Sequence, residues 1–219
     1  MEVKRSICCR ELKKTEVVGS MGEPLGRIGD MTFKFDGNLK LSQFILVGRV
    51  FEELLESLRV RKDYDPVFDA SMIKRMDEKI HLTTSKNNLR ASIEKGAIGS
   101  DEIRLSKLTK LRILDKNGLS VGKAIDVDFD VDGSASLIVG GGFFEEKLEA
   151  FGLKADVDII VPSRVIESIG DVIRLSVGKE ELALTMEEAI KSSTKKKAKD
   201  TMINQREVSR VQLFAQRPR

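Results

Sequence analysis

Four aspartates alternate along "AIDVDFDVDG": Asp126, Asp128, Asp130 and Asp132, with Gly133 closing the run. Carboxylates at such spacing bind a hard cation when a loop folds them around one point. Asp128, Asp130, Asp132 and Gly133 fit places 1, 3, 5 and 6 of a calcium loop. Place 12 requires a bidentate glutamate and holds Val139, so calcium is set aside. The row reads instead as the outward face of a β-strand, with neighbouring carboxylates about 7 Å apart. Such a face attracts a basic partner, and Asp126, Asp128 and Asp130 become candidate partner contacts.

Other reactive residues are few. His81 is the only histidine, and no nucleophile motif accompanies it. Cys8 and Cys9 are the only cysteines; two adjacent thiols make neither a disulfide framework nor a four-ligand zinc site. Gly140, Gly141 and Gly142 in "VGGGFFEE" lack both the dinucleotide spacing and a phosphate-loop lysine, and are expected to let a strand turn into a helix. No catalytic residue, cofactor site or metal site is expected, and the chain is read as not an enzyme.

The elements that position these residues are written twice. Sliding the sequence by 96 residues brings "LGRIGDMTFKFDG" (Leu25 to Gly37) onto "VGKAIDVDFDVDG" (Val121 to Gly133), and pairs Leu12 with Leu108, Val17 with Ile113 and Gly22 with Gly118. At an offset of 93, "MIKRMDEKIHL" falls on "VIESIGDVIRL" with its apolar positions matched. Two copies of about 75 residues are too few for a solenoid. Each copy is mostly short strands: Met31, Phe33 and Phe35 in one copy, and Ile125, Val127, Phe129 and Val131 in the other, are expected to face inward. A short helix follows in each. Phe51, Leu54, Leu55 and Leu58 form one apolar stripe; Phe144, Leu148 and Phe151 form the other. Phe143 cannot share the face of Phe144, so one of the two is expected at the surface, where it is a candidate partner contact. A sheet left open between strands can also receive a partner strand.

The 219 residues carry a net charge of +3, unevenly spread. From Lys191 onward, nine Lys/Arg face two acids, a local +7, which leaves −4 for the preceding residues. Lys195, Lys196 and Lys197 offer an electrostatic site for an acidic protein, anionic lipid or RNA, without interleaved aromatics for base stacking. The terminal "VSRVQLFAQRPR" contains Leu213 and Phe214 and reads as a short docking peptide or a frayed end. No apolar stretch is long enough for a signal peptide or a membrane span, so a soluble, cytoplasmic protein is expected.

The stretches "LRILDKNGLSVGKAIDVDFD" and "IIVPSRVIESIGDVIRL" resemble the PRC-barrel family, in which a glycine turn and a "vGkv-D-v" strand precede a "vP…igd.i.l" segment. The first copy matches through "VVGSMGEPLGRIGDMTFKF", with Asp69 in place of the proline at 162 and Asp77 in place of Gly170. The resemblance covers roughly residues 10 to 190. It implies a mainly β fold of two tandem small PRC-like β-barrels, each with a short helical insertion, followed by a disordered C-terminal tail. The expected domains are 1–84, a connector 85–102, 103–190 and a basic flexible tail 191–219. Tandem chains of this kind resemble small archaeal proteins of FtsZ-based cell division. The resemblance therefore implies a non-catalytic adaptor recruited to the division site. Its expected partners are other PRC-barrel proteins, a second copy of itself, and the SepF-like membrane anchor. The other reading is an RNA- or ribosome-associated maturation factor, by kinship with the barrel of RimM and through the basic tail.

Overall fold

The computed structural model describes residues 7–48, 66–91, 96–129, 135–153, 157–197 and 209–214. The protein is mainly β, with curled sheets. It divides into two compact units, Met1–Leu108 with Phe129–Ala135 and Thr109–Asp128 with Ser136–Arg219. The division at 108 places residues 103–108, read from the sequence as the start of the second domain, with the first unit. Glu102–Arg104 pairs with the strand Pro24–Phe35, Ser42 Oγ donates to Glu102 at 2.7 Å, and the Ser106 amide donates to Asp30.

The first unit contains strands β1 (Ile7–Cys8), β2 (Glu16–Val18), β3 (Pro24–Phe35), β4 (Leu39–Val47), β5 (Val67–Asp69), β6 (Ile73–Met76), β7 (Ile80–Leu82) and β8 (Glu102–Arg104). Helices α1 (Cys9–Leu12), α2 (Lys86–Ala91) and α3 (Leu105–Leu108) are short. Its sheet runs β5-β4-β3-β2-β7-β6, antiparallel except where β7 lies parallel to β2. β3 holds β2 near its start and β8 towards its end. Met31, Phe33, Phe44 and Phe68 fill the core, with the rings of Phe44 and Phe68 stacked at 5.1 Å. The stripe Phe51, Leu54, Leu55 and Leu58 lies outside the described residues.

The second unit repeats the plan with β9 (Arg112–Leu114), β10 (Ser120–Phe129), β11 (Ala135–Gly140), β12 (Val157–Pro162), β13 (Ile166–Ile169) and β14 (Ile173–Leu175). It adds helices α4 (Phe143–Ala150) and α5 (Lys179–Lys197) and a last strand, β15 (Ser209–Gln212). The order β13-β14-β9-β10-β11-β12 mirrors that of the first unit, and β15 extends it beyond β12. α5 has glutamates in its first turn, which suit the helix dipole, and buries Leu182, Met186 and Ile190 at four-residue spacing. The region expected as a disordered tail from 191 thus contains regular structure among the described residues. Lys191 extends this helix while pairing with Glu187, and 209–212 form a strand.

The duplication extends to individual hydrogen bonds. Gly22 and Gly118 both sit at φ 81°, and their amides donate to Gly19 and Asp115 oxygens in matching turns. Only a residue without a Cβ adopts this left-handed conformation at no cost. Ser20 N–H donates to Thr84 O, as Lys116 N–H does to Val177 O.

Each hairpin also places one carboxylate on the start of the helix that closes its copy, but from different positions. In the second unit, Asp115 accepts from the amides of Asn117 and Leu119 at 2.9 Å and of Lys179 at 3.0 Å. In the first, glycine occupies the matching position, Gly19, and Glu23 reaches back over it. Glu23 accepts from Met21 N–H at 3.0 Å and Lys86 N–H at 2.7 Å. A Cβ on Gly19 would lie 2.3 Å from Glu23 Oε1, so the missing side chain is what makes room. Burial works to raise the Asp115 pKa, but the amides of Leu119, Lys179 and Asn117 outweigh it and hold the carboxyl below its ordinary value. Glu23 is lowered chiefly by the Lys86 amide.

Candidate functional site at the edge of β12

Asp126 and Asp128 do not face solvent as expected. Asp126 is 3% exposed and Asp128 7%, whereas Ile125, expected inside, is 40% exposed. Val127 and Phe129 are buried as expected, so both faces of this part of the strand are covered. In the first unit the β3–β4 ladder skips Gly29, so that Ile28 faces Leu46 and Asp30 faces Ile45. Ile125 holds the place that matches Gly29, and of Ile125, Val127 and Phe129 it alone is exposed. Asp126 accepts the Val127 amide at 2.8 Å. Asp130 lies outside the described residues, as does Asp132.

Asp128 is positioned by β10 to meet Arg210 of β15, with Nη1 3.3 Å from its carboxylate. β15 lies parallel to β12 in the register Val157↔Ser209, Asp158↔Arg210, Ile159↔Val211 and Ile160↔Gln212. Asp158 is also buried, so β10 and β12 supply aspartates to the unit in which this arginine lies. Val211 and Leu213 are buried on the second unit, and Leu213 N–H donates to Ile160 O at 2.9 Å. Phe214, half-buried at a positive φ of 54°, ends the segment, and its carbonyl accepts from the Arg164 guanidinium.

The expected docking peptide thus occupies an edge of its own chain. Backbone pairing supplies affinity in such strand addition, and the side chains at alternate places supply selectivity. Here selectivity rests on two apolar residues and one guanidinium. A guanidinium held beside a shielded carboxylate is a strong recognition pair, because neither group is fully solvated.

The remaining candidates are distributed differently. Phe143 and Phe144 are both buried, correcting the expectation that one is exposed; their rings meet edge to face at 5.6 Å. Lys179 Nζ lies 5.0 Å from the Phe143 ring centre and Lys147 Nζ 6.0 Å, both within reach of a cation–ring attraction. Phe151, expected in the buried stripe, ends α4 and is exposed. Lys195, Lys196 and Lys197 form the last turn of α5; the positions of their side chains lie outside the description.

His81 pairs with Asp77 at 3.2 Å, and Arg75 Nη2 lies 3.1 Å from the same ring nitrogen, which places the histidine in a surface cluster on the β6–β7 hairpin. The Lys79 amide, then His81 and Arg75, hold the Asp77 carboxyl below its ordinary value. Cys8 and Cys9 are buried thiols outside any disulfide. Among the described residues no three His, Cys, Asp or Glu side chains are grouped to hold a metal ion. Gly141 and Gly142, at φ 77° and 55°, carry the chain from β11 into α4.

Sequence reasoning missed Arg210, Asp158 and Arg164. The alternation Arg210, Val211, Gln212, Leu213 was the signal available for the first of them, since it has the period of a half-buried strand. No family model and no curated protein matches the chain. No helix among the described residues is long and apolar enough to cross a membrane.

Proposed function

We propose that the chain is a non-catalytic adaptor that acts through protein–protein contacts, built on two PRC-like barrels and working in FtsZ- and SepF-based division of an archaeal cell. The observation that carries the adaptor reading is the edge of β12, where the segment Ser209–Phe214, with its four-residue strand β15, is held by backbone pairing, two buried apolar side chains and the Arg210–Asp128 pair. Such an edge recognises extended segments of protein, which is the work of an adaptor. The closed-barrel architecture and the division role come from the resemblance of the repeated glycine-turn motifs. The matched strand order of the two copies supports the duplication on which that resemblance rests.

The test is affinity purification of the tagged protein from its native cells, with and without ribonuclease, read by mass spectrometry. Division proteins recovered in both arms support the proposal. Ribosomal proteins that disappear with ribonuclease transfer the function to the lysines at the end of α5 and to RNA.

A further inference from the structure

We infer that the edge of β12 is an exchangeable strand-binding slot, and that its ligand in trans is the segment Ser209–Phe214 of a second copy of this chain. The inference rests on the adaptor reading and names its site and partner.

Three observations carry it. The first is that the fold is built without this strand. The sheet of the first copy has the same order and, among the described residues, ends at β5, the counterpart of β12. β15 is therefore an addition to a complete plan rather than a member of it. The second is that recognition is linear. The pairing register, the buried Val211 and Leu213, the Arg210–Asp128 pair and the Arg164–Phe214 hydrogen bond all fall within six consecutive residues. Each of these contacts is equally available to the same six residues arriving from another molecule. The third is that the slot is specific to the second copy. At the place of Asp128 the first copy has Thr32, which offers an arginine no counter-charge.

Eleven residues separate the end of α5 from Ser209, so the segment is a tethered ligand. A short tether gives an effective concentration on the order of millimolar, and the segment from the same chain wins at micromolar protein. Where copies are crowded together, exchange costs no contact and joins neighbouring molecules through identical strands.

The experiment uses the full chain with a specific-protease site inserted between Met202 and Ile203. After cleavage, a fluorescent peptide of residues 207–216 is titrated and its anisotropy is followed. Saturable one-to-one binding is expected, with at least about tenfold weaker binding of the peptide carrying Arg210→Glu, a loss of about 1.4 kcal/mol. No binding up to millimolar peptide, or equal binding of both peptides, overturns the inference.

Should the cleaved segment remain bound too long to exchange, the chain ending at Val208 is titrated in the same way after circular dichroism shows a cooperative melt. If that chain is unfolded, the strand is a structural member and the inference is overturned. The partner-capture result stands apart from these outcomes: a failed titration removes the slot, and only failed capture removes the adaptor.

Discussion

Replacing Asp115 by alanine tests the claim that one carboxylate organises a whole copy. Asp115 is buried and accepts three amides. Two of the donors, on Asn117 and Leu119, lie in an exposed turn where water replaces the lost acceptor, so each is worth about 0.5 kcal/mol. The third starts α5, and loss of such a cap costs about 1–2 kcal/mol. The expected total is about 2–3 kcal/mol, seen in urea melts by circular dichroism, with faster amide exchange confined to the β9–β10 turn and the first turn of α5. The pKa of Asp115 is lowered on folding, so its contribution is present above the unfolded value, about 3.9, and is lost as pH falls through the folded value. The stability difference between wild type and Asp115→Asn should therefore be largest near neutrality and shrink below about pH 4. A difference under about 0.5 kcal/mol for Asp115→Ala, or one independent of pH, refutes the reasoning.

Glu23→Ala should destabilise the first copy, and adding Gly19→Asp should recover most of the loss, because the aspartate then sits where Asp115 sits; Gly19→Asp alone should be harmful, since its Cβ meets Glu23. Urea melts of the three variants measure the coupling. Gly122→Ala should cost about 2 kcal/mol or more, since its φ is 153° and the added Cβ would lie 2.8 Å from Gly140 O and 2.9 Å from the Phe144 ring. Phe144→Ala should cost about 3–5 kcal/mol by emptying the site under α4, measured in the same melts. Arg210→Ala should cost only about 1 kcal/mol, because the guanidinium is partly exposed, yet it should speed amide exchange across 209–214 with little effect on β9 or β14.

The duplication was legible in the sequence because turns and ladders place chemical demands on single residues. Glycine must stand at 22 and 118, where φ is positive, and apolar residues must recur at the period of a strand, so both marks survive in the letters. The apolar spacing of Leu182, Met186 and Ile190 was equally present, yet the lysines after it masked a helix whose stability comes from packing rather than composition. What only the tertiary structure decided is the burial of Asp126 and Asp128 and the place of the last strand. Asp126 and Asp128 are buried although Val127 and Phe129 between and beyond them are buried too, and strict polar–apolar alternation does not report that both faces of a strand are covered. The partner of Arg210 is Asp128, 82 positions earlier in the chain. An ion pair of that separation exists only once backbone pairing has carried β15 to the edge of β12.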